Sequence, residues 1–342
     1  MQNLTLMRGI AGAAFALLMT TLPVRAGTMD YSQLFIFGDS LSDSGNAFNL
    51  TGGAFPPDPP YVQGRFSNGP NWVDQLAASM GLNPTLVTDP GLNPASPPSD
   101  GINFAVGGAT SGSTTIAHIP TGNPALSGLP GLSQQIGAFQ ALYGGANEPD
   151  PDALFVLWIG GNDYFFNVND PATVLGNIAD AINSLTGLGA QNFLIANLPD
   201  LGDTPFAELL GVPGAEEALN AVTAAHNQGL DQLLGTLPGN FSLLDINALF
   251  KEALADPAVF GFADAEQAFL LTCFDNGVFV CSPGTDPNDF VYWDEVHVTS
   301  AAHTVIAARA ADALVSVPEP STVMLMSLGL AGLGFTGRRR RA

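Results

Sequence analysis

Four short apolar runs, at 34–37, 153–159, 192–196 and 241–245, are separated by stretches with helical periodicity. This alternation constrains the chain more than any other feature. Apolar runs without polar alternation suit parallel strands buried on both faces. The helical stretches are NWVDQLAASMG, PATVLGNIADAINSLTGLG, GAEEALNAVTAAHNQGLDQLLGTL and TSAAHTVIAARAADALV. The second opens with proline in its first turn and stops at glycine, the usual order of helix punctuation. Strands alternating with helices predict a parallel sheet covered on both sides. Right-handed crossovers then give a three-layer α/β/α sandwich. With 342 residues, 46% of them hydrophobic, the chain can bury one large α/β core or at most two domains. The segments 51–60 (TGGAFPPDPP), 83–98 and 111–130 read as loops. Long loops in a compact chain commonly wall a binding cleft.

The two ends stand apart from this body. Residues 1–26 carry Arg8, the apolar run GIAGAAFALLMTTL, and Val24 and Ala26 at the −3 and −1 positions of a cleavage site. This is the pattern of a secretory signal peptide. Its apolar run is shorter than the ~20 residues that a membrane span needs. Residues 318–342 hold Pro318-Glu319-Pro320, an apolar stretch over 323–335 and the cluster Arg338 to Arg341. An apolar segment followed by arginines halts in a membrane with the arginines on the cytoplasmic face. This tail resembles the PEP-CTERM sorting signal of Gram-negative bacteria. The resemblance implies a sorting protease of the exosortase type as a partner, and delivery to the cell surface, the extracellular matrix or the medium. Membrane contact is expected only through these terminal segments, before processing. Residues 27–317 form the functional body.

Of the 9 Lys and Arg residues, only Arg65, Lys251 and Arg309 lie in that body; of the 31 Asp and Glu, only Glu319 lies outside it. The body therefore carries a net charge near −27, which excludes nucleic acid as a partner and repels anionic head groups. Cys273 and Cys281 are the two cysteines. In an exported protein, a close isolated pair predicts a disulfide.

The chemistry concentrates where the strands end. In open parallel sheets, ligands bind beyond the carboxyl ends of the strands. The first run, in LFIFGDSLSDSGN, ends at Ser40. INFAVGGAT ends in Gly107-Gly108, and ALFVLWIG leads into Gly161-Asn162-Asp163. Near the end of the body, YWDEVHVTSAAH places Asp294 three residues before His297. Each piece alone has a plain structural explanation, because Gly, Asp, Asn and Ser are turn residues and an aspartate suits a helix start. Together they supply a nucleophile, a base, an acid to orient it and donors for a developing oxyanion.

In this order, FGDSLSDSGN, NFAVGGAT, GGND and DEVHVT resemble the GDSL-type esterases/lipases of the SGNH hydrolase superfamily. PPYVQGRFSNGPNWVDQLA and NLPDLGDTP extend the resemblance, which runs from about residue 31 to 315. It implies a three-layer sandwich around a mostly parallel, flavodoxin-like sheet. It also implies Ser40 as nucleophile, His297 as general base and then general acid, and Asp294 as the group that orients His297. The oxyanion donors would be the Ser40 N–H, the Gly108 N–H and the Asn162 side-chain amide, with Gly107 as the alternative if the register differs by one.

The family usually has proline after the histidine, where this chain has Val298; the loop is expected to have more freedom as a result. No metal or organic cofactor is implied. The expected function is an exported serine hydrolase of carboxylic esters, whether lipid, short-chain ester or acetylated polysaccharide. The alternatives are a catalytically inactive surface or matrix binding module, or an acyltransferase with the same site. Arg65 is expected to pair with an acidic neighbour, Asp39 to brace the Ser40 turn, and Asp163 to brace the turn that aims Asn162. His303 is read as a packing or capping residue, His226 as a surface or core residue within a helix, and Trp158 and Trp293 as core.

Overall fold

The first apolar run forms β1 (Leu34–Gly38), buried along its whole length. The computed structural model describes residues 31–145, 147–166, 170–275 and 278–315; the expected signal peptide and the sorting segment lie outside them. Five further strands follow: β2 (Thr85–Leu86), β3 (Gly101–Asn103), β4 (Leu154–Trp158), β5 (Asn192–Ala196) and β6 (Asn240–Leu244). They pair in the order β2-β3-β1-β4-β5-β6, all parallel. The helices Trp72–Met80, Ile246–Ala255 and Ser300–Val315 pack on one face, and Leu132–Tyr143, Pro171–Gly187 and Ala215–Leu234 on the other. The expected three-layer sandwich is present.

Topology dictates where a ligand can sit. The chain leaves β1 toward the face of helix Trp72–Met80 and leaves β4 toward the opposite face, that of helix Pro171–Gly187. The resulting crevice lies between two adjacent strands, at the switch point where α/β sheets bind ligands. β1 and β4 also end level, with Gly38 paired to Trp158, so the loops that follow them emerge side by side.

The core is aromatic around β1. Phe37 stacks on Phe104 at 5.0 Å, while Phe35 and Phe104 meet Phe139 edge-on. Phe139 comes from helix Leu132–Tyr143, which the apolar pattern did not announce. Its buried residues Leu132, Ile136, Phe139 and Tyr143 do keep helical spacing, but Gly137 and the preceding GLPG segment mask the signal. Segment 111–130 is not all loop: it contains the helix His118–Thr121 and the 3₁₀ turn Pro124–Gly128.

A small satellite lies beside the main sandwich. Asp264–Ala268 pairs with Phe290–Tyr292, and a two-residue hairpin, Phe274–Asp275 with Val278–Phe279, is closed by the Cys273–Cys281 disulfide. Phe269 stacks on Trp293 at 5.2 Å. Trp158 belongs to the main core, whereas Trp293 is buried in this satellite.

Candidate active site

Three adjacent strands deliver the polar groups. Ser40 follows β1, Gly108 follows β3, and Asn162 opens the helix Gly161–Phe166 after β4. His297 arrives from the other end of the chain, in the turn before helix Ser300–Val315. The His297 Nε2 atom lies 2.7 Å from Ser40 Oγ. Its Nδ1 lies 2.7 Å from Asp294 Oδ2. A hydroxyl, an imidazole and a carboxylate in series can move a proton off the hydroxyl and stabilise the imidazolium that forms.

The Asp294–His297 turn is tightly held. Asp294 Oδ1 accepts the N–H groups of Val296 at 2.8 Å and His297 at 2.7 Å. The His297 carbonyl accepts the Trp293 N–H at 2.7 Å. Ser67 Oγ donates to the Val298 carbonyl at 2.9 Å, and Thr299 N–H reaches Val291 O at 2.9 Å. The expectation of freedom at Val298 is therefore corrected: Val298 is buried, and hydrogen bonds fix the segment that a proline would otherwise stiffen.

The electrostatics follow from burial and charge. Burial alone would raise the Asp294 carboxyl. The His297 charge and the hydrogen bonds from His297 and Tyr61 outweigh it, and the carboxyl is held below the ordinary carboxylate range. Burial alone would lower the His297 imidazole, but Asp294, then Glu295 and Asp39, pull it above its ordinary value. Burial pushes the Asp39 carboxyl up to about 7, against the Leu41 N–H and the nearby His297 charge. Asp39 Oδ1 accepts that Leu41 N–H at 3.1 Å, so Asp39 does brace the Ser40 turn.

The donors divide cleanly. The Gly107 N–H is taken by Asp43 Oδ2 at 2.8 Å, so Gly107 is not available to a ligand. The Gly108 N–H has no hydrogen-bond partner among the described residues, and neither has the Ser40 N–H. Both residues line the cleft. Gly108 adopts φ +79°, and a Cβ there would stand 2.8 Å from that of Ala117; only glycine fits this turn without strain. Asn162 donates one amide N–H to Ala109 O at 2.9 Å and keeps the second. The Asp163 carboxylate takes the Ser111 N–H at 2.9 Å and the Ser111 hydroxyl at 2.8 Å, tying the loop after β3, which also holds the Asn162 amide through Ala109 O, to the helix after β4.

Three side chains that sequence reasoning did not single out complete the site. Tyr61 donates its hydroxyl to Asp294 Oδ2 at 2.6 Å. The Phe66 ring lies against the His297 ring, centroids 5.1 Å apart. Asp43 gathers four backbone N–H groups, from Gly45, Asn46, Ala47 and Gly107, and so pins the loop after β1 to the loop after β3. Tyr61 and Phe66 both fall in PPYVQGRFSNG, but a phenol and a phenyl leave no spacing signature by which their partners could be read. Arg65, between them, pairs with Asp74 at 2.6 Å, as expected. His226 and His303 are buried away from the cleft lining.

The cleft has a volume of about 480 Å³, within the range of about 300–1,000 Å³ typical of small-molecule sites. Segments 54–57 and 116–126 form its apolar walls, as the loop reading anticipated. Among the described residues, no lysine or arginine lines it, and Asp294 and Glu295 are its acidic residues.

Comparison with known proteins identifies the family. A family model described as GDSL-like Lipase/Acylhydrolase matches residues 34–310, and a PEP-CTERM protein-sorting motif matches residues 316–341. The chain is 36% identical over 260 residues to a phosphatidylcholine-sterol acyltransferase of Aeromonas hydrophila, covering 74% of this chain and 68% of that protein. It is 30% identical over 302 residues to a Pseudomonas putida protein from a trpE-trpG intergenic region, covering 82% of this chain but only 48% of that protein, about half its length. A GDSL esterase/lipase of Arabidopsis thaliana is 27% identical over 356 residues, covering 85% of this chain and 86% of that protein. The match over residues 34–310 takes in β1, the Gly108 turn, Asn162 and the Asp294–His297 turn, and the chain belongs to the GDSL-like lipase/acylhydrolase family.

Proposed function

We propose that the protein hydrolyses carboxylic esters through an acyl-enzyme on Ser40. The observation that carries this reading is the unbroken series Ser40 Oγ, His297 and Asp294 at the floor of an apolar cleft. His297 Nε2 takes the Ser40 proton as Oγ attacks the ester carbonyl. The oxyanion that forms is met by the Ser40 and Gly108 N–H groups and the free N–H of Asn162. His297 then protonates the leaving alcohol, and water, activated by the same imidazole, releases the acid. Asp294 keeps the imidazole in the right tautomer throughout. Residues 1–26 act as the export signal, 27–317 as the hydrolase, and 318–342 as the sorting segment that brings the enzyme to the cell surface, the matrix or the medium.

The test is hydrolysis of p-nitrophenyl acetate and butyrate by the parent and by Ser40→Ala. The expected outcome is loss of turnover with an unchanged circular-dichroism spectrum, and loss of labelling by a fluorophosphonate. Full activity in Ser40→Ala would overturn the reading, and an unlabelled parent would favour an inactive binding module.

A second reading is acyl transfer to an alcohol in place of water, favoured by the likeness to the Aeromonas hydrophila acyltransferase. Product analysis in the presence of an added long-chain alcohol separates the two. A new ester indicates transfer, and free acid alone indicates hydrolysis.

A further inference from the structure

Asp294 has no unused acceptor position. Its Oδ1 takes two backbone N–H groups, from Val296 and His297. Its Oδ2 takes His297 Nδ1 and also the Tyr61 hydroxyl, at 2.7 and 2.6 Å. A carboxylate offers about four lone-pair sites, so the buried acid is saturated and cannot rotate without breaking a hydrogen bond. The phenol and the imidazole compete for the same oxygen.

We infer that Tyr61 is a positioning residue that sets the basicity of His297 through Asp294, an inference that rests on the proposed roles of Ser40, His297 and Asp294. The phenol can only donate here, because the group opposite is an ionised acceptor. By drawing charge from Oδ2 it weakens the hold of Asp294 on a proton shared with His297. The imidazole therefore gives up its proton at a lower pH than it would beside an acid without that donor. Hydrogen-bonded partners of this kind tune the groups that do the chemistry.

The charged groups that face His297 are Asp294 and Glu295 from its own turn and Asp39 from the loop after β1. The groups that act on Asp294 are His297 and Tyr61, and Glu295 is coupled to it. All but Tyr61 are present whether or not the phenol is there, so a change confined to the hydroxyl isolates its contribution. Tyr61 also lines the cleft, and its N–H donates to the Pro57 carbonyl of the wall at 54–57 at 3.2 Å. That wall and the acid behind the base are thereby joined through one residue.

The sign follows from the geometry. His297 lies above the ordinary imidazole value in the parent, and its neutral form is the base. Activity should therefore fall as pH drops through that raised value, placing the acid limb of kcat/KM above about 6.5. Tyr61→Phe keeps the ring and its packing and removes only the donor. Asp294 then holds the imidazolium more strongly, and the acid limb should move up by roughly 0.3–1 pH unit, with KM nearly unchanged.

A second readout does not need turnover. The downfield proton resonance of the His297 Nδ1–H, recorded at a pH where the imidazole is protonated, should shift further downfield in Tyr61→Phe. A limb and a resonance that both superimpose on the parent's, with the thermal midpoint preserved, would overturn the inference, as would a limb that moves down. If Ser40→Ala retains activity, the underlying reading has failed. If Ser40→Ala is dead and the Tyr61→Phe limb is unmoved, only the present inference has failed.

Discussion

Asn162 can bridge the protein and the reacting ester because its amide carries two donors. One N–H is fixed on Ala109 O, so the other is held in place before any substrate arrives. A donor set in advance costs no reorganisation when charge develops, and this is the main source of oxyanion stabilisation. Asn162→Ala should therefore lower kcat by roughly 10²–10³ while leaving KM within a few-fold; steady-state kinetics on p-nitrophenyl butyrate would check it. A loss confined to KM would mean that Asn162 serves binding and not the transition state. At this scale much of the site could be read in the chain. Ser40, Gly108, Asn162, Asp294 and His297 each lie in one of the short blocks GDS, VGGAT, GGND and DEVHVT, and the geometry brings all five to one cleft. The partner of Asp163 was not legible, because a carboxylate one residue after Asn162 gives no clue that it reaches to Ser111. Asp43 was passed over for the same reason: its four partners are backbone groups, which carry no residue identity.

Among the elements, the disulfide-closed hairpin is coupled to the base. Cys273 ends the helix Phe269–Cys273, Phe269 stacks on Trp293, and Trp293 donates its N–H to the His297 carbonyl. Closing a loop with a sequence separation of 8 stabilises by roughly 2–3 kcal/mol in the chain-entropy picture. The double variant Cys273→Ser/Cys281→Ser should lose about that much in urea unfolding, and kcat should fall in step with the loosening of Trp293. Unchanged stability would show that the satellite is held by its aromatic contacts alone. Strands β1, β4, β5 and β6 were legible because parallel strands read as apolar runs, and the four long helices because they keep helical periodicity; β2, two residues long, falls within 83–98, which reads as a loop. Helix Leu132–Tyr143 was not legible, since a glycine and a Gly-Pro approach dilute a pattern that only tertiary burial restores. The helical turns within 111–130 are too short to have any periodicity.

For the whole molecule, charge and cleft point the same way. The body carries a net charge near −27, and no basic residue lines the cleft. Esters embedded in anionic vesicles should be hydrolysed slowly at low ionic strength. The rate should rise several-fold between about 0.01 and 0.5 M salt as the screening length shrinks. Esters in zwitterionic vesicles and soluble p-nitrophenyl butyrate should respond little. A rate on anionic vesicles that is independent of salt would count against electrostatic exclusion.

Ser40 and His297, the proposed nucleophile and base, are separated by 257 positions along the chain. A polypeptide emerging N-terminus first thus carries Ser40 long before it carries the imidazole proposed to activate it. Under the proposed mechanism, a chain that stops short of Asp294 should therefore be chemically silent, however much of its sheet has formed.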